Sequence, residues 1–424
     1  MPILKYPPFL QWEVTGDCNH KCIHCYNYWR ADNQQLDQCI HYKEIISKII
    51  ERKPLYVAIT GGEPLLVFDI VKEAITEFRK SGIVCSVSTN GTLITEEIAS
   101  FLEKNNVDLV ISLPSSNPKT CDFVCTSSGV VGKLDKVWPL LKKHNITVNC
   151  NVVINKANLS SLYDTLKYIK KLGFIARVGL AQRPINASKD YLPYELDKKD
   201  ALQVIKTCIK AKNELSLDID FSVCLPDCIF ESVSDLTALE KGDCFAGSIA
   251  YAITTNGDIK ACQCDTNTYG NILTDDFVKV YKKMFKWRRG ALIPSECREC
   301  SRVDSCKGGC RIEAYACNGK YDSLPTFADS RNDTICKSEG EGIELIDYTD
   351  KSFTLNEKAQ FVKDLECYRV SVGIKPTFLG FEFCDWIRNV KHFSFNDLKN
   401  ATKLDDNTNG LLNLLMLNNV ILMN

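Results

Sequence analysis

The sequence has no excess of charge of either sign and no long apolar run. Its 52 Lys and Arg residues are balanced by 53 Asp and Glu residues, so no net field would attract nucleic acid or an anionic membrane. No apolar stretch approaches the ~18 residues of a membrane span, and the N-terminus lacks the features of a signal peptide. We therefore predict a cytoplasmic protein with neither nucleic acid nor membrane as a partner.

Internal repeats and low-complexity tracts are also missing, and the composition is that of an ordinary folded protein. Hydrophobic residues make up 45% and charged residues 25% of the 424 positions. A chain of this length predicts two or three domains. The 22 cysteines are an unusually large number for a chain without a secretory signal. Disulfides cannot account for them, because thiols in a reducing compartment stay reduced. Metal binding is the interpretation that fits them.

The first half of the chain alternates short β-branched runs with longer segments of helical period. This is the pattern of βα units, and six of them predict an α/β fold with a partial or full (β/α)6 barrel over residues 1–215. In such barrels the chemistry gathers at the carboxyl ends of the strands. The predicted strands are Phe9–Thr15, Tyr56–Thr60, Ile83–Thr89, Val107–Leu113, Ile146–Ile154 and Phe174–Leu180.

Two further segments follow the predicted barrel. Residues 216–340 become irregular and rich in cysteine, which predicts a domain held together by metal rather than by apolar packing alone. Residues 341–424 contain fewer cysteines and end in a stretch that predicts two short helices joined by a polar turn. We expect this third segment to be small and mostly helical.

Cys18, Cys22 and Cys25 are spaced C-x3-C-x2-C just after the first predicted strand. Three thiolates can hold three irons of a [4Fe-4S] cube and leave the fourth iron open for another ligand. A zinc site is the alternative, because His20 or His24 would complete a Cys3His ligand set.

These residues resemble the signature of the radical S-adenosylmethionine (SAM) superfamily, in which the residue before the third cysteine is aromatic, here His24. The sequence Gly61-Gly62-Glu63-Pro64 at the end of the second strand is similar to the family's GGEP motif. The resemblance implies that Cys18, Cys22 and Cys25 bind the catalytic cluster. It also implies that Gly61, Gly62 and Glu63 contact SAM, with Glu63 accepting from its amine.

Ser88 and Asn90, after the third strand, and Ser112, after the fourth, correspond to further SAM contacts in the family. One departure follows Ser112, since relatives usually continue through an Asp-Gly pair to an arginine that binds the SAM carboxylate. Cys125 stands about where that arginine is expected. Cys121 and Cys125 are interpreted as buried free thiols, because two ligands make no metal site.

A second group of seven cysteines resembles the SPASM domain of peptide-modifying radical SAM enzymes. Its spacing is C-x12-G-x4-C followed by C-x2-C-x5-C-x3-C and a final cysteine, and a zinc ribbon is the alternative. The resemblance implies two auxiliary [4Fe-4S] clusters, for a total of three. The implied ligands are Cys244, Cys262 and Cys310 for the first cluster, and Cys297, Cys300, Cys306 and Cys336 for the second.

Two ligand positions stay open in this scheme. The fourth ligand of the first auxiliary cluster could be Cys264, Cys228 or Cys224, or the iron could be open to substrate. Cys317 competes with Cys336 for the second cluster, although the longer return to Cys336 fits the family better.

The resemblance implies an oxidoreductase that forms a 5′-deoxyadenosyl radical from SAM, with a reductant such as flavodoxin or ferredoxin. The implied partner is a ribosomally synthesised peptide or small protein, modified by a thioether or carbon-carbon crosslink or by epimerisation. An anaerobic sulfatase-maturing enzyme is the alternative. There an aspartate follows the second SPASM cysteine, whereas here Gln263 does and Asp265 is displaced by two. A non-catalytic iron-sulfur electron carrier is the remaining alternative, although it would not need Glu63 beside the cysteines.

Many peptide maturases grip a leader peptide with an N-terminal winged-helix module. Only 17 residues precede Cys18, so we expect none there. Residues 341–424 could supply a winged-helix-like substitute, or could cap the barrel or pack a dimer. Arg183, just past the sixth strand, could face substrate or solvate a loop.

Overall fold

One ten-stranded sheet is the centre of the computed structural model. The described residues are 4–5, 7–26, 39–183, 185, 191–221, 224–239, 241–242, 244–288, 290–329, 332–337, 348–349, 351–364, 367–372, 375–402 and 408–424. The strand order is β10-β9-β8-β1-β2-β3-β4-β5-β6-β7. The strands are Phe9–Glu13 (β1), Tyr56–Thr60 (β2), Val84–Thr89 (β3), Asp108–Ser112 (β4), Val148–Ile154 (β5), Ile175–Leu180 (β6), Ile219–Phe221 (β7), Ala250–Ile253 (β8), Asp258–Lys260 (β9) and Gly270–Asn271 (β10).

The predicted α/β fold with six parallel strands is confirmed. β1 to β7 are parallel and adjacent in chain order, so each connection crosses over one face of the sheet. The connecting helices are Tyr42–Glu51 (α1), Phe68–Lys80 (α2), Glu96–Lys104 (α3), Pro118–Cys125 (α4), Val130–Lys143 (α5), Leu162–Leu172 (α6) and Lys198–Leu215 (α7). The first and last strands in this order, β10 and β7, do not pair, which leaves the sheet open rather than closed into a full barrel.

The helices begin and end where the sequence supplies suitable residues. Thr95 caps α3 by accepting a hydrogen bond from the backbone of Ile98, and Asp197 and Asp200 form a capping box at the start of α7. Gly173 ends α6 in the left-handed conformation, with φ of +73°. These local signals fix the helix boundaries before any tertiary contact forms.

The two faces of the sheet differ because successive side chains of a strand point to opposite sides. Leu10 and Trp12 point toward the helices, and the Trp12 ring meets Phe78 of α2 edge-on at 6.2 Å. The opposite face, called the inner face below, carries many polar side chains among apolar ones such as Phe9, Ala58 and Val110. Its side chains include Gln11, Glu13, Tyr56, Ser86, Ser88, Asp108, Asn149, Asn151, Arg177 and Asp220.

The cysteine-rich region is joined to the core sheet rather than separate from it. β8 pairs in parallel with β1, and β9 and β10 continue the sheet in antiparallel fashion. Beyond them lie short helices and turns that carry the cysteines. The helices are Val233–Ala238 (α8), Phe277–Lys283 (α9), Phe285–Arg288 (α10), Val303–Cys306 (α11), Arg311–Asn318 (α12) and Asp333–Cys336 (α13).

The C-terminal segment contains more strand than the sequence predicted. The two predicted helices are present as α15 and α16, but six short strands accompany them because alternating runs such as KSFTL also satisfy a strand pattern. The strands are Ser352–Leu355 (β11), Gln360–Lys363 (β12), Tyr368–Val372 (β13), Lys375–Leu379 (β14), His392–Ser394 (β15) and Ile421–Met423 (β16); the helices are Phe381–Val390 (α14), Phe395–Thr402 (α15) and Thr408–Leu417 (α16).

This segment has its own core and two hydrogen-bonded contacts with the barrel. Phe353, Ile387 and Leu412 are among its fully buried residues. The Arg369 guanidinium donates to the carbonyl of Lys53 at 2.8 Å, and the Lys5 backbone N–H donates to Asp364 at 2.6 Å. Among the described residues, no helix combines the length and the apolar character needed to cross a membrane.

Candidate functional site

The loop that carries Cys18, Cys22 and Cys25 follows β1 at the carboxyl edge of the sheet. All three thiols are partly exposed. Two backbone hydrogen bonds hold the loop against the end of α4: the N–H of Lys21 donates to the carbonyl of Cys125 at 3.2 Å, and that of Ile23 to Val124 at 3.0 Å. The predicted cluster ligands are therefore presented on one anchored loop.

The spacing of the signature thiols suits a cluster better than zinc. Zinc binds thiolates at about 2.3 Å, so two ligand atoms on one tetrahedral ion lie roughly 3.8 Å apart. Among the described residues, the one set with three ligand atoms within 4.8 Å of each other is His20, Cys22 and Cys125. The thiols of Cys18, Cys22 and Cys25 are not all within 4.8 Å of one another, so they do not form such a compact set. Neither auxiliary cysteine set is compact enough for a single zinc ion.

Gly61 and Gly62 bring the end of β2 into contact with the cysteine loop. A Cβ atom at Gly62 would lie 1.9 Å from the carbonyl oxygen of Asp17, and one at Gly61, where φ is +136°, would lie 2.4 Å from that of Thr15. The N–H groups of Gly62 and Glu63 donate to these same carbonyls at 2.6 and 2.7 Å. The close approach that excludes any larger residue is therefore to the cysteine loop.

The Glu63 carboxylate is buried and keeps room for one more donor. Its Oε1 accepts from the Leu65 N–H at 3.0 Å and from the Thr89 hydroxyl at 2.6 Å, while Oε2 accepts from the Asn90 N–H at 2.8 Å. Burial raises the pKa of Glu63, and these hydrogen bonds oppose that rise. Since a carboxylate oxygen can accept two hydrogen bonds, Oε2 can still receive an ammonium group.

The other predicted SAM contacts lie along the same edge. The Asn90 side chain donates to Asn19 of the cysteine loop at 2.6 Å and accepts from Thr92, so it holds the loop in place. Ser112 is exposed at the end of β4, and Ser88 lies on the inner face of β3. These two hydroxyls are accessible to a ligand bound over that face.

The two histidines of the cysteine loop differ in their surroundings. His24 lies 3.3 Å from the Asn155 amide nitrogen, and burial lowers its pKa, which favours the neutral ring. His20 is buried, and a nitrogen of its ring lies near Cys22 and Cys125 rather than near all three signature thiols. Neither histidine completes the Cys3His zinc site that the sequence left open.

Cys121 and Cys125 are buried, as the sequence predicted, but Cys125 contacts the cluster loop. The proximity of the Cys121 and Cys22 thiols raises the pKa of Cys125, and burial raises it further. The approach of Cys125 is the main cause that lowers the pKa of Cys22, followed by the proximity of the histidines, against the effect of burial. The sequence showed no link between these cysteines because about 100 residues separate them.

Five thiols are neighbours at the predicted first auxiliary site. The three predicted ligands, Cys244, Cys262 and Cys310, lie close enough to perturb one another. Cys224 hydrogen-bonds to Cys244, and Cys264 hydrogen-bonds to Cys262. Cys228, the third possible fourth ligand, is instead a neighbour of Cys306 and Cys297, and its sulfur accepts from the Asp329 N–H at 3.1 Å.

At the predicted second auxiliary site lies a cavity of about 230 Å³ whose wall contains thiols. The four predicted ligands line it together with Cys228, and they are Cys297, Cys300, Cys306 and Cys336. Cys317 is not among the lining residues, because its sulfur lies 3.1 Å from the Thr326 hydroxyl and near Arg183. The geometry thus favours Cys336 over Cys317.

A buried charged group that the sequence analysis missed lies on the inner face below the cysteine loop. Glu13 is 2% exposed, and its Oε1 has no hydrogen-bond partner. Burial raises the pKa of Glu13 to about 7, although the charge of Lys260 opposes the rise. Burial is the main cause that raises the pKa of the nearby Tyr26, and the charge of the Glu13 carboxylate is the second cause. An acidic residue in a predicted buried strand, FLQWE, was the available signal.

Two other side chains that the sequence singled out have structural partners. Arg183 forms an ion pair with Glu195, so it secures the loop after β6. Asp265 is fully buried and accepts hydrogen bonds from the Tyr321 hydroxyl at 2.7 Å and from the Asn267 N–H at 3.1 Å. Burial raises the pKa of Asp265.

Several known proteins are similar to this chain. An AdoMet-dependent heme synthase of Methanosarcina barkeri is 26% identical over 348 residues, which cover 74% of this chain and 94% of the relative. The mycofactocin maturase MftC of Mycobacterium ulcerans is 29% identical, covering 74% and 85%. A cysteine-type anaerobic sulfatase-maturating enzyme of Clostridium novyi is 25% identical, covering 77% and 91%. The structure of Streptococcus suis SuiB bound to the precursor peptide SuiA matches with a TM-score of 0.62 at 18% identity, covering 79% and 77%.

The profile of the radical SAM superfamily matches residues 12–169, from the first strand through α6. That stretch contains the cysteine loop, the Gly61-Gly62-Glu63 turn and the strand ends that surround them. A [4Fe-4S] cluster and SAM are the cofactors of this fold. Three thiols on one loop suit the cluster, and Glu63 Oε2, which can accept a second hydrogen bond, suits the SAM amine. Residues 12–169 of this enzyme are therefore identified as a radical SAM domain.

Proposed function

We propose that this enzyme modifies a ribosomally synthesised peptide, by a thioether or carbon-carbon crosslink or by epimerisation. The observation that carries the proposal is the group of polar side chains on the inner face beneath the cysteine loop. Ser112, Asn151, Arg177 and Asp220 form one row across neighbouring strands of that face. Side chains of this kind suit the amide groups and charges of a peptide.

The same face argues against the flat, largely apolar substrate suggested by the heme synthase relative. Small-molecule sites are lined mainly by apolar and aromatic side chains with a few polar groups. Here Ser86 and Asp108 pair across β3 and β4 on the inner face, and Gln11 lies in the same row on β1, with Ala58 of β2 between them. The mycofactocin maturase and SuiB, as a protein bound to a precursor peptide, are the relatives that agree with a peptide substrate.

We further infer that the protein holds two auxiliary [4Fe-4S] clusters besides the catalytic one. The proposed ligands of the first are Cys244, Cys262, Cys310 and Cys224, which hydrogen-bonds to Cys244 and lies near the other two. Those of the second are Cys297, Cys300, Cys306 and Cys336, which line one cavity. Cys306 would bind the second cluster, and Cys310, shortly after it in the sequence, would bind the first. Each cluster would therefore restrain the segment that carries a ligand of the other.

Each side chain at the catalytic site has a distinct role in this proposal. Cys18, Cys22 and Cys25 would hold three irons, and Glu63 Oε2 would accept from the SAM amine. When bound, the cluster and SAM supply the 5′-deoxyadenosyl radical that removes a hydrogen atom from an unactivated carbon. Glu13 would hold or accept a proton beside the substrate, since its carboxyl group is buried on the inner face.

Formylglycine formation, as in the sulfatase-maturing relative, is less well supported. Gln263 stands next to Cys262, where those enzymes place an aspartate, and Asp265 is fully buried behind Tyr321. A structural role for Asp265 explains its hydrogen bonds without any contact with substrate.

Residues 341–424 are proposed to be a winged-helix-like module that binds part of the peptide outside the reacting residues. α14, β15, α15, α16 and β16 follow one another as helix, strand, helix, helix and strand. β16 is an edge strand of its sheet, and Leu422 and Met423 on it are about half exposed. An extended peptide can pair with such an edge through its backbone. The first two domains are proposed to span residues 1–215 and 216–340.

Mass spectrometry of a co-expressed peptide would test the proposal. The chain would be produced anaerobically, with a flavodoxin or ferredoxin as reductant, together with each short peptide encoded beside its gene. A crosslink would remove two hydrogens from the peptide, and an epimerisation in D2O would add one deuterium. A variant with Cys18, Cys22 and Cys25 replaced by alanine is the control. Peptides left unchanged by an enzyme that still forms 5′-deoxyadenosine would contradict a peptide substrate of this origin.

A further inference from the structure

Cys125 places a second thiol beside a ligand of the catalytic cluster. Cys125 is 2% exposed and ends α4. Its sulfur, the Cys22 sulfur and a ring nitrogen of His20 all lie within 4.8 Å of one another, so the two thiols are neighbours. This contact joins a helix of the barrel to the loop that binds the cluster.

The position of the Cys125 thiol is fixed from several directions. The carbonyls of Val124 and Cys125 accept the loop's N–H groups, so the helix end and the loop move together. The Cys121 thiol, one turn earlier in α4 and fully buried, is a further neighbour of Cys125 and raises its pKa. Asn117 caps the start of the same helix by accepting from the Thr120 N–H at 3.1 Å.

We propose that the Cys125 thiol donates a hydrogen bond to the sulfur of Cys22 when that sulfur binds iron, and that it thereby raises the reduction potential of the catalytic cluster. Cys125 is then a positioning residue, since it acts through Cys22. A thiol is protonated at neutral pH unless its surroundings stabilise the thiolate. A hydrogen bond to a ligand sulfur withdraws negative charge, and the reduced cluster carries one negative charge more than the oxidised one.

The alternative roles of Cys125 make different predictions. If it were a fourth cysteine ligand, the cube would be closed and no iron would remain open for SAM. If His20, Cys22 and Cys125 held zinc, Cys22 would be lost to the cluster. The inference rests on the proposed catalytic cluster, and iron content tests that cluster independently of the potential.

The test is an anaerobic redox titration followed by electron paramagnetic resonance. The signal of the catalytic cluster is isolated as the part that changes on addition of SAM and that is missing from the variant lacking Cys18, Cys22 and Cys25. The variants are Cys125→Ala, which removes the donor, and Cys125→Ser, which keeps a hydroxyl donor. Cys150→Ala is the matched control, because Cys150 is a fully buried thiol on β5.

The expected result is a lower midpoint potential in Cys125→Ala, with iron content unchanged. The ratio of reduced to oxidised cluster at a fixed potential should fall about tenfold, which corresponds to 59 mV for one electron. Cys125→Ser should recover part of the shift, and Cys150→Ala should show none. An unchanged potential in Cys125→Ala would overturn the inference, as would loss of the SAM-responsive signal from both Cys125 variants or zinc in the purified protein.

Discussion

Two buried glutamates near the cysteine loop have opposite hydrogen-bonding environments. Glu63 accepts three hydrogen bonds from groups on β3 and the turn after β2, so its charge is well compensated. One carboxylate oxygen of Glu13 has no hydrogen-bond partner, and the charge of Lys260 offsets only part of the rise in pKa that burial causes. A carboxylate left in this state costs stability, which a functional site can tolerate when the group is used.

Replacing Glu13 with glutamine should therefore stabilise the protein, and by more at higher pH. The folded pKa of about 7 lies above the ordinary value of 4.5, so stability falls as pH rises from 4.5 to 7 and then levels off. The full difference corresponds to about 3 kcal/mol. Calorimetry under anaerobic conditions should show a larger gain in Tm for Glu13→Gln at pH 8 than at pH 6.

Glu97→Gln is the control for this prediction, because the Glu97 side chain is 80% exposed on α3. It should change stability by less than about 0.5 kcal/mol at either pH. A gain in Tm for Glu13→Gln that is the same at both pH values would show that Glu13 is not held near pKa 7.

At the scale of elements, the turn after β2 and the cysteine loop form one unit. Gly62→Ala should break it, since the new Cβ atom would lie 1.9 Å from the backbone of Asp17. The loop would have to move, and we expect loss of about four irons per chain from the catalytic cluster. Anaerobic iron and sulfide analysis measures this directly.

Gly132→Ala provides the matched control within α5. A Cβ atom there meets nothing within 4 Å, and alanine favours a helix over glycine by up to about 1 kcal/mol. Iron content should stay unchanged in this variant. Full iron content in Gly62→Ala would mean that the close approach of the two loops is not required for the cluster.

The loops of the cysteine-rich region allow a test of the proposed fourth ligand. Cys224→Ala should make the first auxiliary cluster labile, because Cys224 lies beside Cys244 and near Cys262 and Cys310. Cys228→Ala should leave it intact, since Cys228 lies at the second site. The measurement is iron retained after brief exposure to a chelator, and equal retention by both variants would argue against Cys224.

The sequence predicted elements best where one local period dominates. All six parallel strands are present within two residues at each end, because their apolar runs and flanking turns leave little ambiguity. The sequence did not predict that β7 and β8 extend the same sheet, since each is short and pairs only through tertiary contacts. The extra strands of residues 341–424 were missed for the same reason.

The residues of the candidate site also divide into those that a local sequence pattern predicts and those that only tertiary contacts bring together. Motif spacing predicted roles for Cys18, Cys22, Cys25 and Glu63 without any structure. The contact of Cys125 with Cys22 and the approach of Lys260 to Glu13 join residues about 100 and 250 positions apart, so no local pattern could reveal them. Packing also distinguished Cys224 from Cys228, which the sequence could not separate.

At the scale of the whole molecule, both later segments are joined to the barrel near β1 and β2. The cysteine-rich region adds β8 beside β1, and the C-terminal segment is tied to the barrel through Arg369 and Asp364. This arrangement is consistent with a substrate that reaches over the inner face while its remaining length is held elsewhere. The central claim is that three clusters and SAM work together in one chain.

The most direct test is to reconstitute the protein anaerobically, count iron and sulfide per chain, and add dithionite and SAM. Our account predicts about twelve irons per chain and formation of 5′-deoxyadenosine detected by mass spectrometry. In the variant without Cys18, Cys22 and Cys25, about eight irons should remain and no 5′-deoxyadenosine should form. Bound zinc in place of iron, or a full set of clusters that never cleaves SAM, would contradict it.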